Sequence, residues 1–439
     1  LFSEKVRAEM EETTITKTCV GALAAYGTYP EMVSAMCALL TKLVSEATYA
    51  QFKEKKALEV LMDCLVIHQQ DVERCIAVLQ LLVTILFMSV QQGEGVSKRI
   101  VETAVFIMNN YSDSEAIQKL GIEMLEAFVS QEGDLMSFLE LGGLDVVLRA
   151  MRGGSETLRI SCSKLLVAAA KNETVRKAIV QLEGVQMLLV VIKEHPKSEG
   201  VQQYAAAALA ELAVSKEVCD VILEHDGLAL LFAAFKRFVA EEAVEASVTQ
   251  ILDRLMELSE EARAPFCKLS PLDILSKVLA NFKASEAVVY NVCGVLSSLA
   301  GELAFKIGRY AATLLKCIDE CMELHQKSAH TESHVIKAVA ALAMDKECRA
   351  VFVKAETYLL VRDVLNEFQE DVSVVRESYR ALLQFSVEAA CVERLQEGEI
   401  LKLSSAILHR YLDEAELVTD LITFITVFAA KDEWLEEMG

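Results

Sequence analysis

The feature that most constrains this chain is a sequence pattern that recurs about every 43 residues along its whole length. Each occurrence has an apolar segment with helical spacing, a short polar turn and a second, longer apolar segment. The repeats begin near Thr14, Ala57, Ile100, Gly143, Gly184, Gly227, Pro271, Ala312, Thr357 and Ile400. Length alone would divide 439 residues into about three domains. Ten repeats instead predict one array of stacked units that occupies residues 1–439.

The composition predicts that this array is helical throughout. Only 4 of the residues are proline and 18 are glycine, while 53% are hydrophobic. Helices tolerate proline and glycine least, so their scarcity favours long, uninterrupted helices. A repeat of two or three helices with apolar faces on both sides cannot bury those faces alone and must stack on its neighbours. We therefore predict an all-α fold built as an α-α superhelix.

The positions of glycine and proline agree with this organisation. Gly143, Gly184 and Gly227 stand where one helix stops and the next one begins after a sharp turn, a position suited to a residue without Cβ. We expect Pro265 and Pro271 to flank a boundary between repeats, where no helix interior is broken.

The charge excludes several classes of ligand. With 65 acidic and 43 basic side chains, the formal net charge is −22. Such a chain repels phosphate groups, so we exclude nucleic acid and anionic lipid surfaces as principal ligands. The longest apolar run, Cys75 to Val90, is shorter than the roughly 20 residues that a membrane span requires. We predict a buried helix there and no membrane span.

The cysteines point to a reducing compartment. All 12 are scattered singly through apolar stretches, as at Cys37, Cys64 and Cys162. Free cysteine behaves as a small buried hydrophobe, whereas a disulfide framework is typical of secreted chains. We expect a cytoplasmic location, with cytoskeletal or ciliary association as the more specific alternative.

Three segments are visible in the best-preserved repeat: a short helix from Glu173 to Leu182, a second from Gly184 to Glu194 and a third from Val201 to Val214. An aromatic residue or histidine precedes the turn into the third helix at Tyr29, His68, Tyr111, His195, Phe238, Phe282 and Phe368. Together these features resemble armadillo repeats, most closely the divergent arrays of leucine-rich repeat kinases and small armadillo-repeat-containing proteins. The resemblance implies a right-handed armadillo-like solenoid.

The resemblance also implies where a partner binds. Third helices of armadillo arrays line a concave groove for an extended peptide or a helix, and well-known members carry ladders of Trp and Asn there. The Trp-like positions here are Glu123, Lys164, Ala207, Gln250, Gly294, Ala340, Arg380 and Thr423. The Asn-like positions are Ala127, Ala168, Glu211, Arg254, Ser298, Met344, Gln384 and Val427. None is Trp or Asn, so indole cages for lysine and amide clamps are not available at these positions.

We predict instead a partner-binding groove of mixed charge on these helices. Its candidate residues are Glu123, Lys164, Ala207, Glu211, Gln250, Arg254, Ser298, Arg380 and Gln384. The net negative charge favours a protein partner with a basic or amphipathic helical segment over an acidic one.

Two patterns bear on metal binding. Cys317, Cys321 and His325 have the spacing of one helix face, and three such ligands can hold zinc. Structural zinc signatures use two-residue gaps, so we expect ordinary packing and no metal. His330 and His334 lack the Glu that follows the first His in a zincin motif. We expect these histidines in an exposed loop that opens a helix.

No catalytic arrangement and no cofactor motif is recognisable in the sequence. We therefore predict a non-catalytic interaction scaffold or adaptor. The alternative is a regulatory or structural armadillo domain of a larger kinase-linked, ciliary or cytoskeletal protein. The start at Leu1 rather than Met favours that expectation.

Overall fold

Every regular element in the part of the chain that the structure describes is an α-helix, as predicted. The computed structural model describes residues 13–130, 135–307, 311–325, 327–397 and 399–438, with side chains described outside 303–312 and 428–438. In chain order the helices are α1 (Ile15–Tyr26), α2 (Pro30–Leu43), α3 (Glu46–Glu54), α4 (Ala57–Ile67), α5 (Val72–Gln91), α6 (Lys98–Asn110), α7 (Glu115–Ser130), α8 (Leu135–Glu140), α9 (Gly143–Gly153), α10 (Glu156–Ala169), α11 (Glu173–Gln181), α12 (Gly184–Glu194), α13 (Glu199–Leu212), α14 (Lys216–Glu224), α15 (Gly227–Arg237), α16 (Glu242–Leu258), α17 (Glu260–Lys268), α18 (Leu272–Asn281), α19 (Glu286–Ile307), α20 (Ala311–Leu324), α21 (Ala329–Leu342), α22 (Lys346–Lys354), α23 (Thr357–Glu367), α24 (Val372–Phe385), α25 (Ala389–Glu397), α26 (Ile400–Arg410) and α27 (Ala415–Met438).

Each predicted repeat start lies within two residues of the start of a helix. The helix at each predicted start is called here the second helix of its repeat. In a complete repeat it follows a short first helix and precedes a longer third helix, as in α11, α12 and α13. The chain divides into two compact units, Leu1–Leu212 and Ala213–Gly439, called here the N-terminal and the C-terminal unit. One uninterrupted array over residues 1–439 stays a prediction.

Successive third helices form the continuous core of each unit. In the N-terminal unit α2, α5, α7, α10 and α13 pack one against the next, and in the C-terminal unit α16, α19, α21, α24 and α27 do the same. Their shared faces bury side chains such as Leu166, Leu209, Val248 and Val292 completely. Each such side chain contributes roughly 1.5–3 kcal/mol relative to an exposed one, so stacking holds the repeats together.

The most apolar of these helices is α5. It is the one described helix with the length and composition of a membrane span. In the structure it packs against α2 and α7 and buries side chains from Cys75 to Ser89, which agrees with the predicted buried helix. Packing on two sides explains its apolar character, since a third helix within a stack has little surface left for water.

Among the repeats whose preceding residues the structure describes, two depart from the predicted three segments because they have no first helix. Residues 92–97, between α5 and α6, form no helix, and α20 begins almost directly after α19. The third helices that precede these gaps are long, with 20 residues in α5 and 22 in α19, against 14 in α10 and α13. Residues that form a first helix elsewhere extend the preceding third helix here.

The turn from first to second helix uses a left-handed residue, which directly precedes the predicted glycines Gly143, Gly184 and Gly227. Positive φ angles occur at Lys56, Gly142, Glu183, Asp226, Ser270, Glu356 and Glu399, each directly before a second helix or one residue from it. Gly143 and Gly184 follow as the first helical residues. A Cβ on Gly184 would lie 2.4 Å from Ile179 Cγ2, so close packing excludes a side chain there.

The proline expectation is half right. Pro271 lies at the N-cap of α18, at a boundary between repeats. Pro265 lies inside α17, where its missing N–H removes a hydrogen bond to the preceding turn.

The aromatic residue or histidine that ends a second helix connects neighbouring repeats. In four described repeats its polar atom donates a hydrogen bond to a backbone carbonyl at the same turn of the preceding repeat. These pairs are His68 with Gly27 (2.7 Å), Tyr111 with Gln69, His325 with Lys283 (2.8 Å) and Tyr411 with Gln369 (2.9 Å). The recurring residue type therefore fixes one repeat on the next.

Candidate partner-binding groove

The nine predicted groove residues all lie on third helices, and each of them reaches the surface. Each is the ninth or the thirteenth residue of its helix. The N-terminal unit carries Glu123, Lys164, Ala207 and Glu211, and the C-terminal unit carries Gln250, Arg254, Ser298, Arg380 and Gln384. Arg254 and Arg380 are exposed, and the other seven are half-buried.

The register of the eighth repeat needs a correction. Counted from the first residue of α21, the equivalent positions are Lys337 and Ala341 rather than Ala340 and Met344. Ala340 is only 8% exposed, whereas Lys337 is half-buried and lies at the surface. The face therefore gains a cation that the sequence alignment had placed elsewhere.

In the N-terminal unit the predicted cation is already engaged. The Lys164 Nζ atom lies 4.6 Å from the centroid of the Tyr204 ring on the next third helix. This is cation–π geometry. Burial raises the pKa of the neighbouring Glu126, an effect that Lys164 opposes and Glu123 reinforces.

The C-terminal unit has a groove of about 660 Å³ between α16, α19 and α21. It contains the predicted residues Gln250 and Arg254 together with Asp253, Tyr290, His330 and His334. The structure thus brings two predicted residues together with four that the prediction did not include.

Asp253 is the most unusual member of this groove. Its side chain is 8% exposed, and no hydrogen bond or ion pair to its carboxylate occurs among the described residues. A Cβ on Gly294 would lie 2.1 Å from Asp253 Oδ1, so glycine at this Trp-like position leaves room for the carboxylate against the next helix. The pKa of Asp253 is raised to about 7, mainly by burial; Glu257 adds to the rise, while Lys337 and Arg254 oppose it.

Three rings form an aromatic cluster next to this carboxylate. The Tyr290 ring stacks on His330 at a centroid distance of 4.3 Å and on His334 at 3.6 Å. The predicted exposed loop is wrong for these histidines: Ser328 caps α21 and both lie in its first two turns. Burial lowers the pKa of His334 to about 4, so its ring is neutral and presents a π face.

A second groove of about 480 Å³ adjoins the first and shares Glu257 with it. It contains the predicted residues Ser298, Arg380 and Gln384. Arg380 is paired within the chain: its Nε atom lies 3.1 Å from Asp420 Oδ2, and one Nη atom lies 3.1 Å from a Glu377 carboxylate oxygen. Acidic side chains of the same face thus neutralise this cation.

The possible metal ligands have other roles. Cys317 and Cys321 are buried in the packing of α20, and burial raises the pKa of Cys321 to about 12. His325 follows the helix and donates to the Lys283 carbonyl. No group of three His, Cys, Asp or Glu side chains suited to a metal occurs among the described residues.

Comparison with known proteins identifies the architecture. The sequence profile of the LRRK2 ARM repeat matches residues 157–306, about a third of the chain. A solved structure of an engineered protein superposes with a TM-score of 0.71 at 17% identity, covering 94% of this chain and 98% of that one. A structure from work on a phosphorylation switch that controls the interaction between cadherin and β-catenin superposes with a TM-score of 0.76 at 16% identity, covering 95% and 83%. The chain has the fold of an armadillo-like repeat array.

The armadillo-like fold is typical of non-enzymatic scaffolds for protein interaction. At 16–17% identity the structural likeness establishes the fold and leaves the partner open. No curated protein matches the sequence significantly. The partner of this armadillo-like protein has to be inferred from its own surface.

Sequence reasoning missed Asp253 and Tyr290. Asp253 directly precedes Arg254, an Asn-like position, and Tyr290 lies one helical turn before Gly294, a Trp-like position. Both residues are therefore close in sequence to positions that the prediction considered. Their importance emerges only when α16, α19 and α21 are side by side. A ladder search by residue type at fixed positions cannot reveal a cluster made from three helices.

Proposed function

We propose that this armadillo-like protein is a non-catalytic scaffold that binds a basic segment of a protein partner along the third helices of its C-terminal unit. The observation that carries the proposal is the buried, unpartnered Asp253 carboxylate beside the stacked rings of Tyr290 and His334. A carboxylate with little access to water is costly unless a cation joins it. A lysine or arginine side chain of a partner supplies that cation.

The surroundings favour a cation over an anion. The ring faces of Tyr290, His330 and His334 attract a positive group electrostatically. Arg254 lies near Glu257, and Arg380 is paired with two acidic residues, so these two arginines are neutralised within the chain. The net charge of −22 steers basic partners toward the protein.

The two adjoining grooves support a partner segment rather than a small molecule. They run from α16 through α19 and α21 to α24 and share Glu257. An extended peptide or an amphipathic helix laid across these helices contacts both grooves, with its basic side chain beside Asp253.

The direct test is equilibrium binding of a short fluorescent peptide of alternating Lys and Arg to the full chain, followed by anisotropy. We expect Asp253→Asn to weaken binding at least tenfold, about 1.4 kcal/mol. Tyr290→Ala should weaken it by about 1 kcal/mol, whereas Tyr290→Phe, which keeps the ring, should bind as wild type does.

Asp413→Asn is the matched control, because Asp413 is exposed in the turn between α26 and α27. Equal affinity of the Asp253→Asn variant and this control would contradict the proposed site. Preference for a peptide of alternating Asp and Glu would contradict the proposed partner class.

We also propose a second, compatible role as the regulatory or structural armadillo domain of a larger protein. The match of residues 157–306 to the LRRK2 ARM repeat profile favours it. Sequencing the transcript on both sides of the coding region for Leu1 and Gly439 tests it. Further coding sequence for another domain supports this role, and stop codons on both sides contradict it.

For the compartment we propose the cytoplasm. All 12 cysteines are buried within helical packing, which suits a reducing environment. Imaging of a fluorescent fusion tests this proposal; accumulation in the secretory pathway would contradict it.

A further inference from the structure

At the turn between the second and third helices of a repeat, here called the corner, one position of the third helix recurs. The residue that ends the second helix has a carbonyl that accepts the N–H three residues further on. The side chain seven residues after that carbonyl, on the third helix, reaches back toward it. Gln118 Nε2 donates to the carbonyls of Tyr111 (2.9 Å) and Met108 (2.8 Å). Gln202 Nε2 donates in the same way to His195 (3.0 Å) and Ile192 (2.9 Å).

Two further residue types make the same bond. The Cys75 thiol donates to the His68 carbonyl at 3.5 Å, and Arg159 Nη2 donates to the Arg152 carbonyl at 3.4 Å. Four other repeats place an apolar residue at this position: Val33, Val289, Val375 and Val418. The position therefore holds either a hydrogen-bond donor or a side chain without polar atoms.

The remaining two repeats place a glutamate there. Glu245 and Glu332 are both 0% exposed, and none of their four carboxylate oxygens has a hydrogen-bond partner among the described residues. The carbonyls seven residues before them, equivalent to those that Gln118 and Gln202 reach, belong to Phe238 and His325; these carbonyls accept the N–H groups of the residues three positions further on, at 2.7 and 2.8 Å. An ionised carboxylate only accepts hydrogen bonds, so it cannot satisfy a carbonyl.

We infer that Glu245 and Glu332 each hold a proton in the folded protein at neutral pH and donate their O–H to the carbonyls of Phe238 and His325. The protonated carboxyl then donates a hydrogen bond to the backbone carbonyl, as the Gln118 and Gln202 amides do in their repeats. The molecule accordingly carries two fewer negative charges than its formal −22.

The surroundings of both side chains favour the neutral form. Burial is the only cause acting on Glu245 and raises its pKa to about 9; no charged side chain of α14, α15, α17 or α19, which pack against α16, contributes. Burial also raises the pKa of Glu332 to about 8. The groups that face Glu332 are the thiols of Cys293 and Cys321, whose own pKa values burial raises.

The consequence is a corner that weakens in alkaline solution. Loss of the proton leaves a buried charge opposite a carbonyl oxygen, so ionisation of Glu332 opens the start of α21. His330 and His334 lie in those same turns. The site proposed for a basic partner segment therefore depends on a protonated side chain within its framework.

Infrared spectroscopy of the folded chain at neutral pH tests the protonation directly. The measurement is made on the Asp253→Asn protein, because Asp253, with a pKa of about 7, would otherwise contribute a protonated carboxyl band of its own. This protein should show the C=O stretch of a protonated, buried carboxyl group, which Glu245→Gln and Glu332→Gln each reduce and which is weakest when both are combined. Glu242→Gln, an exposed position on the same helix as Glu245, should leave the band unchanged. Absence of the band from the Asp253→Asn protein, or an undiminished band when Glu245→Gln and Glu332→Gln are combined in it, would overturn the inference.

Hydrogen exchange of the amides in α16 and α21 gives a second measurement. Because the pKa of each group is raised on folding, its stabilising contribution is greatest below the unfolded-state pKa and is lost as pH rises toward the folded-state value. After correction for intrinsic exchange, opening should increase in the wild type relative to the double variant that combines Glu245→Gln and Glu332→Gln, by up to about tenfold per pH unit for each site. Parallel profiles in the two proteins would overturn the inference without touching the partner proposal.

Discussion

At the scale of single residues, space rather than backbone freedom decides where side chains are excluded. A Cβ on Gly143 would lie 2.4 Å from the Phe138 ring, and one on Gly294 would lie 2.1 Å from the Asp253 carboxylate. The left-handed residues before second helices are mostly larger than glycine, for example Glu183 and Asp226. Glycine therefore marks the points where a helix start or a neighbouring carboxylate approaches the backbone most closely.

The glycine argument predicts opposite effects at two positions of the N-terminal unit. Gly184→Ala places a Cβ 2.4 Å from the Ile179 side chain and 2.9 Å from its carbonyl oxygen, so we expect a loss of about 1–3 kcal/mol in unfolding free energy. Gly21→Ala, in the middle of α1 with open space around it, should stabilise by up to about 1 kcal/mol. Urea unfolding of both variants checks the difference, and equal effects would disprove it.

The raised pKa of Asp253 makes a second residue-scale prediction. With a pKa of about 7, this carboxyl is mostly protonated at pH 6 and mostly ionised at pH 8. Lys and Arg of a peptide stay charged over this range, so affinity should rise with pH by up to about tenfold per unit below the pKa. Anisotropy titrations across this range measure it. The Asp253→Asn variant should show a flat profile; a slope equal to the wild type's would show that another group is responsible.

At the scale of elements, the hydrogen bond from the end of one second helix to the preceding repeat explains a recurring residue type. We predict that Tyr411→Phe, which removes only the hydroxyl that donates to Gln369, costs about 0.5–1.5 kcal/mol. Tyr26→Phe is the control, since the exposed Tyr26 hydroxyl makes no hydrogen bond among the described residues. Thermal unfolding of the two variants compares them, and identical midpoints would refute the role of the hydroxyl.

Elements also show what the sequence can predict. Helix starts such as Gly184 and Gly227 were predictable because cap and apolar spacing are local signals. The absence of a first helix after α5 was not predictable from the sequence, because the same helix-forming residues can end a third helix or begin a first helix. Packing against neighbouring repeats decides between the two.

In the molecule as a whole, different faces of the third helices form the core and the proposed binding groove. The apolar faces of the third helices form the core of each unit. In the C-terminal unit, exposed and half-buried residues of the same helices form the groove around Asp253 and Tyr290. The sequence predicted this face and five of its residues there, but only the assembled helices show the cluster. In the proposed site, residues from three successive repeats together determine which partner binds.

A hydrogen-exchange footprint of the Lys–Arg peptide on the full chain at saturation locates the binding surface. We predict protection concentrated in α16, α19 and α21, reduced in the Asp253→Asn variant at the same peptide concentration. Protection confined to the N-terminal unit, or an unchanged footprint in the Asp253→Asn variant, would contradict the account.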